Sequence, residues 1–137
     1  MITMSPYIGF AGKTRDALAL YARCFGGATV EMRTIADAGM PPTRPGGAQD
    51  VLHAEFKAEG VHLYATDCDD GQPIVDGNRV SLCVNLDDEA EQTRIFDALA
   101  DGGTVGMPLQ PMFWGARFGM LKDRFGIQWM LNCEQKK

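Results

Sequence analysis

Phe25-Gly26-Gly27-Ala28-Thr29-Val30 returns later in the chain as Asp101-Gly102-Gly103-Thr104-Val105. In both places a glycine pair follows an apolar helical stripe and precedes a β-branched stretch. Upstream of the first pair, Ala17, Leu18, Tyr21, Cys24 and Phe25 recur at helical spacing and form one face of an amphipathic helix. Thr14 is placed to cap it, with Asp16 near its positive end. Upstream of the second pair, Ile95, Phe96 and Leu99 form the matching stripe, and Asp87 or Asp88 supplies the cap. Glycine ends such helices because it adopts the left-handed conformation without strain. Working outward, Tyr7–Phe10 and Val80–Leu86 read as the strands before the two helices. Ala28–Ile35, Asp50–Lys57 and Val61–Thr66 follow the first helix. Gly106–Trp114, Arg117–Lys122 and Gln128–Cys133 follow the second, with Asp123-Arg124-Phe125-Gly126 as the last turn. Each half is strand, helix, strand, strand, strand. The expected class is α+β: two βαβββ modules, about 1–70 and about 78–137, in a single domain over 1–137. One such module leaves a sheet face unburied, so two are expected to pack together.

The hairpin around Glu59-Gly60 assigns the faces of the first sheet. With these as the loop residues, Lys57 faces His62, Glu55 faces Tyr64, and His53 faces Thr66. Side chains alternate along a strand, so these six share one face. Leu52, Ala54, Phe56, Ala58, Val61, Leu63 and Ala65 occupy the other. The second set is wholly apolar and belongs under the helix; the first is polar and aromatic and is where chemistry is expected.

The chain of 137 residues is long enough to bury a core without disulfides or a structural metal. Apolar residues are 45% and charged residues 23%, which excludes disorder and collagen-like structure. The net charge of −5, with no long basic run, argues against nucleic acid and against an anionic membrane surface as partners. No apolar run approaches membrane-spanning length, and the start of the sequence does not resemble a signal peptide. The scattered cysteines Cys24, Cys68, Cys83 and Cys133 therefore read as free thiols in a reducing cytoplasm.

Two stretches are irregular. Asp37–Gln49 holds Pro41, Pro42, Pro45, Gly46 and Gly47 and reads as a lid or a mobile surface loop. Asp67–Asn78 is acidic and joins the halves. Its Asp67-Cys68-Asp69-Asp70-Gly71 lacks the later acids of a calcium loop, so a solvated linker is expected.

Four stretches carry a resemblance over nearly the whole chain: Tyr7-Ile8-Gly9-Phe10 with Ala17–Tyr21 and Phe25-Gly26-Gly27; His53-Ala54-Glu55-Phe56; Leu63-Tyr64-Ala65-Thr66-Asp67; and Phe113-Trp114-Gly115-Ala116-Arg117-Phe118-Gly119 running on to Asp123-Arg124-Phe125-Gly126-Ile127-Gln128-Trp129. They resemble the PhnB-like branch of the vicinal-oxygen-chelate superfamily, which includes glyoxalase I, bleomycin-resistance proteins and extradiol dioxygenases. The last stretch is the most specific; Arg124 stands where the branch usually has proline. The resemblance implies curled mixed sheets around a cleft, a homodimer, and in many members a divalent metal that chelates vicinal oxygens of the substrate.

Residue by residue, the metal ligands do not carry over. Their positions fall near Pro6, Tyr64, Arg79 and Met130, which suit no hard divalent ion. No metal and no cofactor are therefore expected. His53, Glu55, Tyr64, Trp114, Phe118 and Trp129 are the expected ligand-binding residues, with His53 and Glu55 as candidates for an acid–base pair. The expected function is binding of a small organic molecule, as bleomycin-resistance members do, in a cytoplasmic homodimer. The alternative is a metal-dependent enzyme of glyoxalase or dioxygenase type with a displaced site around His53 and Glu55, to which His62 could add a ligand. A third reading is a dimer whose cleft is filled by its own side chains. Some PhnB-like sequences carry a methyltransferase label, but no glycine-rich nucleotide-binding turn here supports methyl transfer.

Overall fold

A computed structural model describes residues 1–67 and 73–135 of the chain. They fall into two compact units divided between Val75 and Asp76.

The first unit contains β1 (Tyr7–Gly9), α1 (Thr14–Cys24), β2 (Thr29–Thr34), β3 (Val51–Ala58) and β4 (Val61–Thr66), with a single 3-10 turn at Gly47–Gln49. Its mixed sheet has the order β1-β4-β3-β2. β1 runs parallel to β4, and the other pairings are antiparallel. The hairpin register matches the sequence reading: Lys57 lies opposite His62 and Glu55 opposite Tyr64. α1 buries Ala17, Leu18, Leu20, Tyr21 and Cys24. Beneath it lie Ala54, Phe56, Leu63 and Ala65, all essentially inaccessible. Full burial of a side chain such as Phe56 or Leu63 contributes about 1.5–3 kcal/mol.

One expectation fails at the start of β3. Leu52 was expected inside but is half-exposed, while Val51 is fully buried. The ladder steps from Arg33 opposite His53 to Thr34 opposite Val51. Leu52 is thus the extra residue of a bulge, which shifts the alternation by one. The Thr66 hydroxyl donates to the Leu52 carbonyl at 2.7 Å and holds the bulge.

A second correction concerns the cap of α1. The Thr14 side chain does not cap this helix; Lys13 occupies the cap position without a side-chain bond. Asp67 does the work from across the fold, accepting from the Thr14 N–H at 3.0 Å and the Val51 N–H at 2.9 Å. It is therefore buried, not part of a solvated linker. Burial opposes its ionisation, yet the hydrogen bonds from Thr14, Val51 and Gly12 outweigh that and hold its carboxyl below the usual range. The remaining acidic stretch, including Cys68, Asp69, Asp70 and Gly71, lies outside the described residues.

The 37–49 connection is tied at several points. Thr34 and Asp37 exchange reciprocal bonds of 3.0 Å. Ile35 and Ala36 donate to the Asp50 and Ala48 carbonyls. Arg44 grips Asp50 through two bonds of 2.9 and 2.7 Å.

The second unit repeats the plan with β5 (Leu82–Leu86), α2 (Glu89–Ala100), β6 (Thr104–Pro111), β7 (Ala116–Lys122) and β8 (Gln128–Glu134), in the order β5-β8-β7-β6. Asp88 caps α2 by accepting from the Ala90 and Glu91 N–H groups. The stretch that carried the strongest resemblance is structural. Arg117 donates from beneath α2 to the Glu89 carbonyl at 3.2 Å and the Thr93 hydroxyl at 2.9 Å. Gly119 lies where a Cβ would meet Phe96 at 2.8 Å and Leu109 at 2.9 Å, so a larger residue there must displace the side chains that pack against this strand. Asp123 accepts from the Phe125 and Ile127 N–H groups and from the Trp129 indole.

Candidate functional site: the open sheet faces

Alternation that sends the apolar set under α1 sends the other set to the opposite face of the first sheet. Because β1 pairs with β4, it adds Tyr7 beside Tyr64. Tyr7, His53, Tyr64 and His62 form a continuous group of rings. Their centroids are 5.8 Å apart for Tyr7–Tyr64, 5.7 Å for Tyr7–His53, 5.3 Å for His53–Tyr64 and 4.9 Å for His62–Tyr64. These separations are those of attractive offset and edge-to-face contacts. Tyr7 and His53 are exposed, and Tyr64 and His62 are half-buried.

The polar edges of this surface are fixed. Tyr7 Oη and His53 Nδ1 are 3.0 Å apart. His62 Nε2 lies 2.9 Å from Glu55 Oε2, and His62 Nδ1 lies 2.6 Å from Ser5 Oγ. An ionised carboxylate only accepts, so Nε2 carries a proton and donates to Glu55. Lys57 stands 3.6 Å from Glu55. The hydrogen bond from His62, with Lys57 and His62 charge adding, holds the Glu55 carboxyl below its ordinary value.

The expected His53–Glu55 pair is therefore corrected: Glu55 pairs with His62, and His53 with Tyr7. The hairpin places His62 beside Lys57 and Tyr64 beside Glu55, so His62 is a diagonal neighbour that an extended Glu55 side chain reaches. Sequence reasoning missed Tyr7 and Ser5. Both depend on the parallel β1–β4 pairing, although the short apolar run at Tyr7 marked the strand.

In the second unit, Trp114 is half-exposed. Its ring lies edge-on to Phe118 at 5.5 Å, and its indole N–H donates to Asn132 Oδ1 at 3.3 Å. Phe118 and Asn132 are ladder partners on the face opposite α2. Trp129 departs from expectation. It is buried in register with Leu121, on the side of Leu131 and Cys133, and its indole bonds to Asp123 at 2.9 Å. The alternation Gln128, Met130, Asn132 against Trp129, Leu131, Cys133 carried that signal. Trp129 is a core residue of this unit.

For the metal that the resemblance implies, the donors do not fit. Pro6 presents its carbonyl to the Tyr64 N–H, and Met130 pairs with Cys83. Among the described residues no group of three or more His, Cys, Asp or Glu is arranged to hold a metal ion. Cys83 and Cys133 are free thiols, the first exposed and the second buried, and desolvation raises the pKa of both. Among the described residues no helix is long and apolar enough to cross a membrane.

Two mixed four-stranded sheets, each with one helix, define an α+β protein of the glyoxalase/bleomycin-resistance fold. Residues 3–132 match the family described as 3-demethylubiquinone-9 3-methyltransferase, and the chain belongs to this PhnB-like family. Protein YjdN of Escherichia coli is 30% identical over 98% of this chain and 97% of its own. The crystal structure of PA1353 from Pseudomonas aeruginosa is 38% identical, with a TM-score of 0.83 over 99% of this chain and 100% of that one. The Bacillus cereus PhnB protein, which carries the methyltransferase description, is 24% identical with a TM-score of 0.78 over 96% and 99%. A glyoxalase/bleomycin resistance protein/dioxygenase family enzyme from Burkholderia phytofirmans shares the fold at 10% identity, with a TM-score of 0.60 over 96% of each chain.

Proposed function

We propose that this protein binds a small, ring-bearing organic molecule on its open sheet faces, without the divalent metal used by many proteins of this fold. The observation that carries the reading is the group formed by Tyr7, His53, Tyr64 and His62 on the uncovered face of the first sheet. An apolar aromatic surface with a few fixed polar groups suits such ligands, because rings supply contact area and hydrogen bonds supply orientation. Trp114 and Phe118 provide a second aromatic pair on the other sheet. Sequestration of a toxic compound is the role we favour. The bleomycin-resistance name of a fold neighbour is consistent with it. Methyl transfer is not part of this reading, since the chain has no Gly-x-Gly-x-x-Gly turn. We further propose a cytoplasmic homodimer, in which a second copy covers strand edges that each sheet leaves unpaired.

The test is a thermal-shift screen of aromatic metabolites and antibiotics against the full chain and Tyr64→Ala. A stabilising compound whose effect disappears in Tyr64→Ala supports the proposal. Stabilisation unchanged in Tyr64→Ala and in Trp114→Ala overturns it. The metal-dependent enzyme remains the competing reading, and Glu55 engaged by His62 counts against it. Stoichiometric divalent metal in protein purified without chelator, lost in His53→Ala, would decide in its favour.

A further inference from the structure

The second sheet carries a row of sulfur. Cys83 on β5 is the ladder partner of Met130 on β8; Met130 is the partner of Met120 on β7; Met120 is the partner of Met107 on β6. Directly opposed residues share a face, with Cβ atoms roughly 4.5–5.5 Å apart. One thiol and two thioethers, those of Cys83, Met130 and Met120, thus lie in line on the face away from α2, while Met107 is flanked on both sides by shifts in the β6–β7 register. Cys83 is exposed at the edge strand, and the three methionines are half-buried.

The flanking rows supply no competing hard donor. On one side stand Asn85, Asn132, Phe118 and Gln110, and on the other Gln128, Lys122 and Thr104. Neither row contains a carboxylate or an imidazole. Asn132 is already engaged by the Trp114 indole, and Gln128 by Gly77 and Ser81. A donor set of thiol and thioether with no carboxylate rejects hard divalent ions and suits a soft monovalent one. Methionine has three rotatable bonds and a polarisable sulfur, so Met130 can turn towards an ion held by the neighbouring Cys83.

We propose that Cys83 and Met130, with Met120 closing the site, bind a soft monovalent cation, Cu(I) or Ag(I). On binding, the Cys83 thiol gives up its proton to solvent and the sulfur–metal bond forms, with no change of oxidation state. The proposal does not depend on the organic-ligand reading, whose variants, Tyr64→Ala and Trp114→Ala, leave all the sulfur residues in place.

The experiment uses the full chain, reduced and kept free of oxygen, in a Cys68→Ser background. Cu(I) is supplied as its complex with a chromophoric chelator, and its transfer is read as loss of the chelator's colour. One bound equivalent is expected. Cys83→Ser should lose it, and Met130→Leu, which keeps side-chain volume and fold, should hold it more weakly. Circular dichroism checks that both variants are folded. Retention of the equivalent by Cys83→Ser overturns the proposal. So does transfer to Met130→Leu equal to the parent, which would leave a thiol acting alone. Displacement by equimolar Zn(II) also overturns it, because the site would then not be soft.

Discussion

Asp67 joins three parts of the first unit through one carboxylate, and its replacement should be costly in a calculable way. One oxygen accepts from the Thr14 N–H at the start of α1, and the other accepts from the Val51 N–H beside the β3 bulge. Hydrogen bonds to a charged group contribute about 1.5–3 kcal/mol each, and a lost helix cap typically costs about 1 kcal/mol. Asp67→Ala removes the bonds from Thr14 and Val51, besides that from Gly12, and leaves at least two buried donors unsatisfied, so it should destabilise by about 3–5 kcal/mol. Asp67→Asn keeps one acceptor, but its amide N–H₂ then confronts a backbone N–H. About half that loss is expected. Both are large against the roughly 5–15 kcal/mol by which domains are stable. The pH dependence follows from the same contacts. The folded-state pKa of Asp67 is depressed below 3.8. Its contribution is therefore fully present above the unfolded-state pKa and is lost as pH falls through the folded value. Urea unfolding of wild type, Asp67→Asn and Asp67→Ala, at neutral pH and at about pH 3, measures both effects. A loss under about 0.5 kcal/mol in Asp67→Ala, the level of an ordinary surface change, would refute the capping role. So would acid sensitivity of Asp67→Asn as steep as that of wild type.

Other expectations follow from the same geometry. Leu63→Ala should cost about 2–5 kcal/mol by chemical denaturation, as a core truncation beneath α1, whereas Tyr64→Ala one residue away should cost much less. Trp129→Phe removes the indole bond to buried Asp123 and should lose about 1–3 kcal/mol, while Trp114→Phe should be near neutral; equal effects would mean that the two tryptophans are misassigned. The Glu55 carboxyl, followed by NMR, should titrate below the usual glutamate range and move upward in His62→Ala. Gly103→Ala should destabilise strongly, because a Cβ there would run into the Lys122 carbonyl oxygen and the Asp123 backbone, whereas Gly26→Ala meets nothing.

That last contrast shows how two similar motifs acquire different constraints. Both glycine pairs end a helix and could be read as such from local pattern alone. Only packing of the 102–103 turn against the end of β7 makes Gly103 sterically necessary. The most distinctive stretch, from Phe113 to Trp129, was likewise legible as a family mark. Its roles in pinning α2 and closing the β7–β8 turn depend on which strands lie beneath that helix.

What the sequence determined by itself is periodic. The two helical stripes, the hairpin at Glu59-Gly60 and the division of β3 and β4 into apolar and polar faces follow from spacings within a few residues. Shifting the hairpin by one residue would bury Glu55 and expose Phe56, so the alternatives are separated by several kcal/mol. The same alternation sets Trp129 with Leu131 and Cys133. Tertiary structure alone decided which distant groups meet. The bulge at Leu52, the Asp67 cap, the contact of Ser5 with His62, and the sulfur line from Cys83 to Met120 all join residues remote in the chain. Their partners are set by strand order and register across a sheet, and a local period carries no information about which strand lies next.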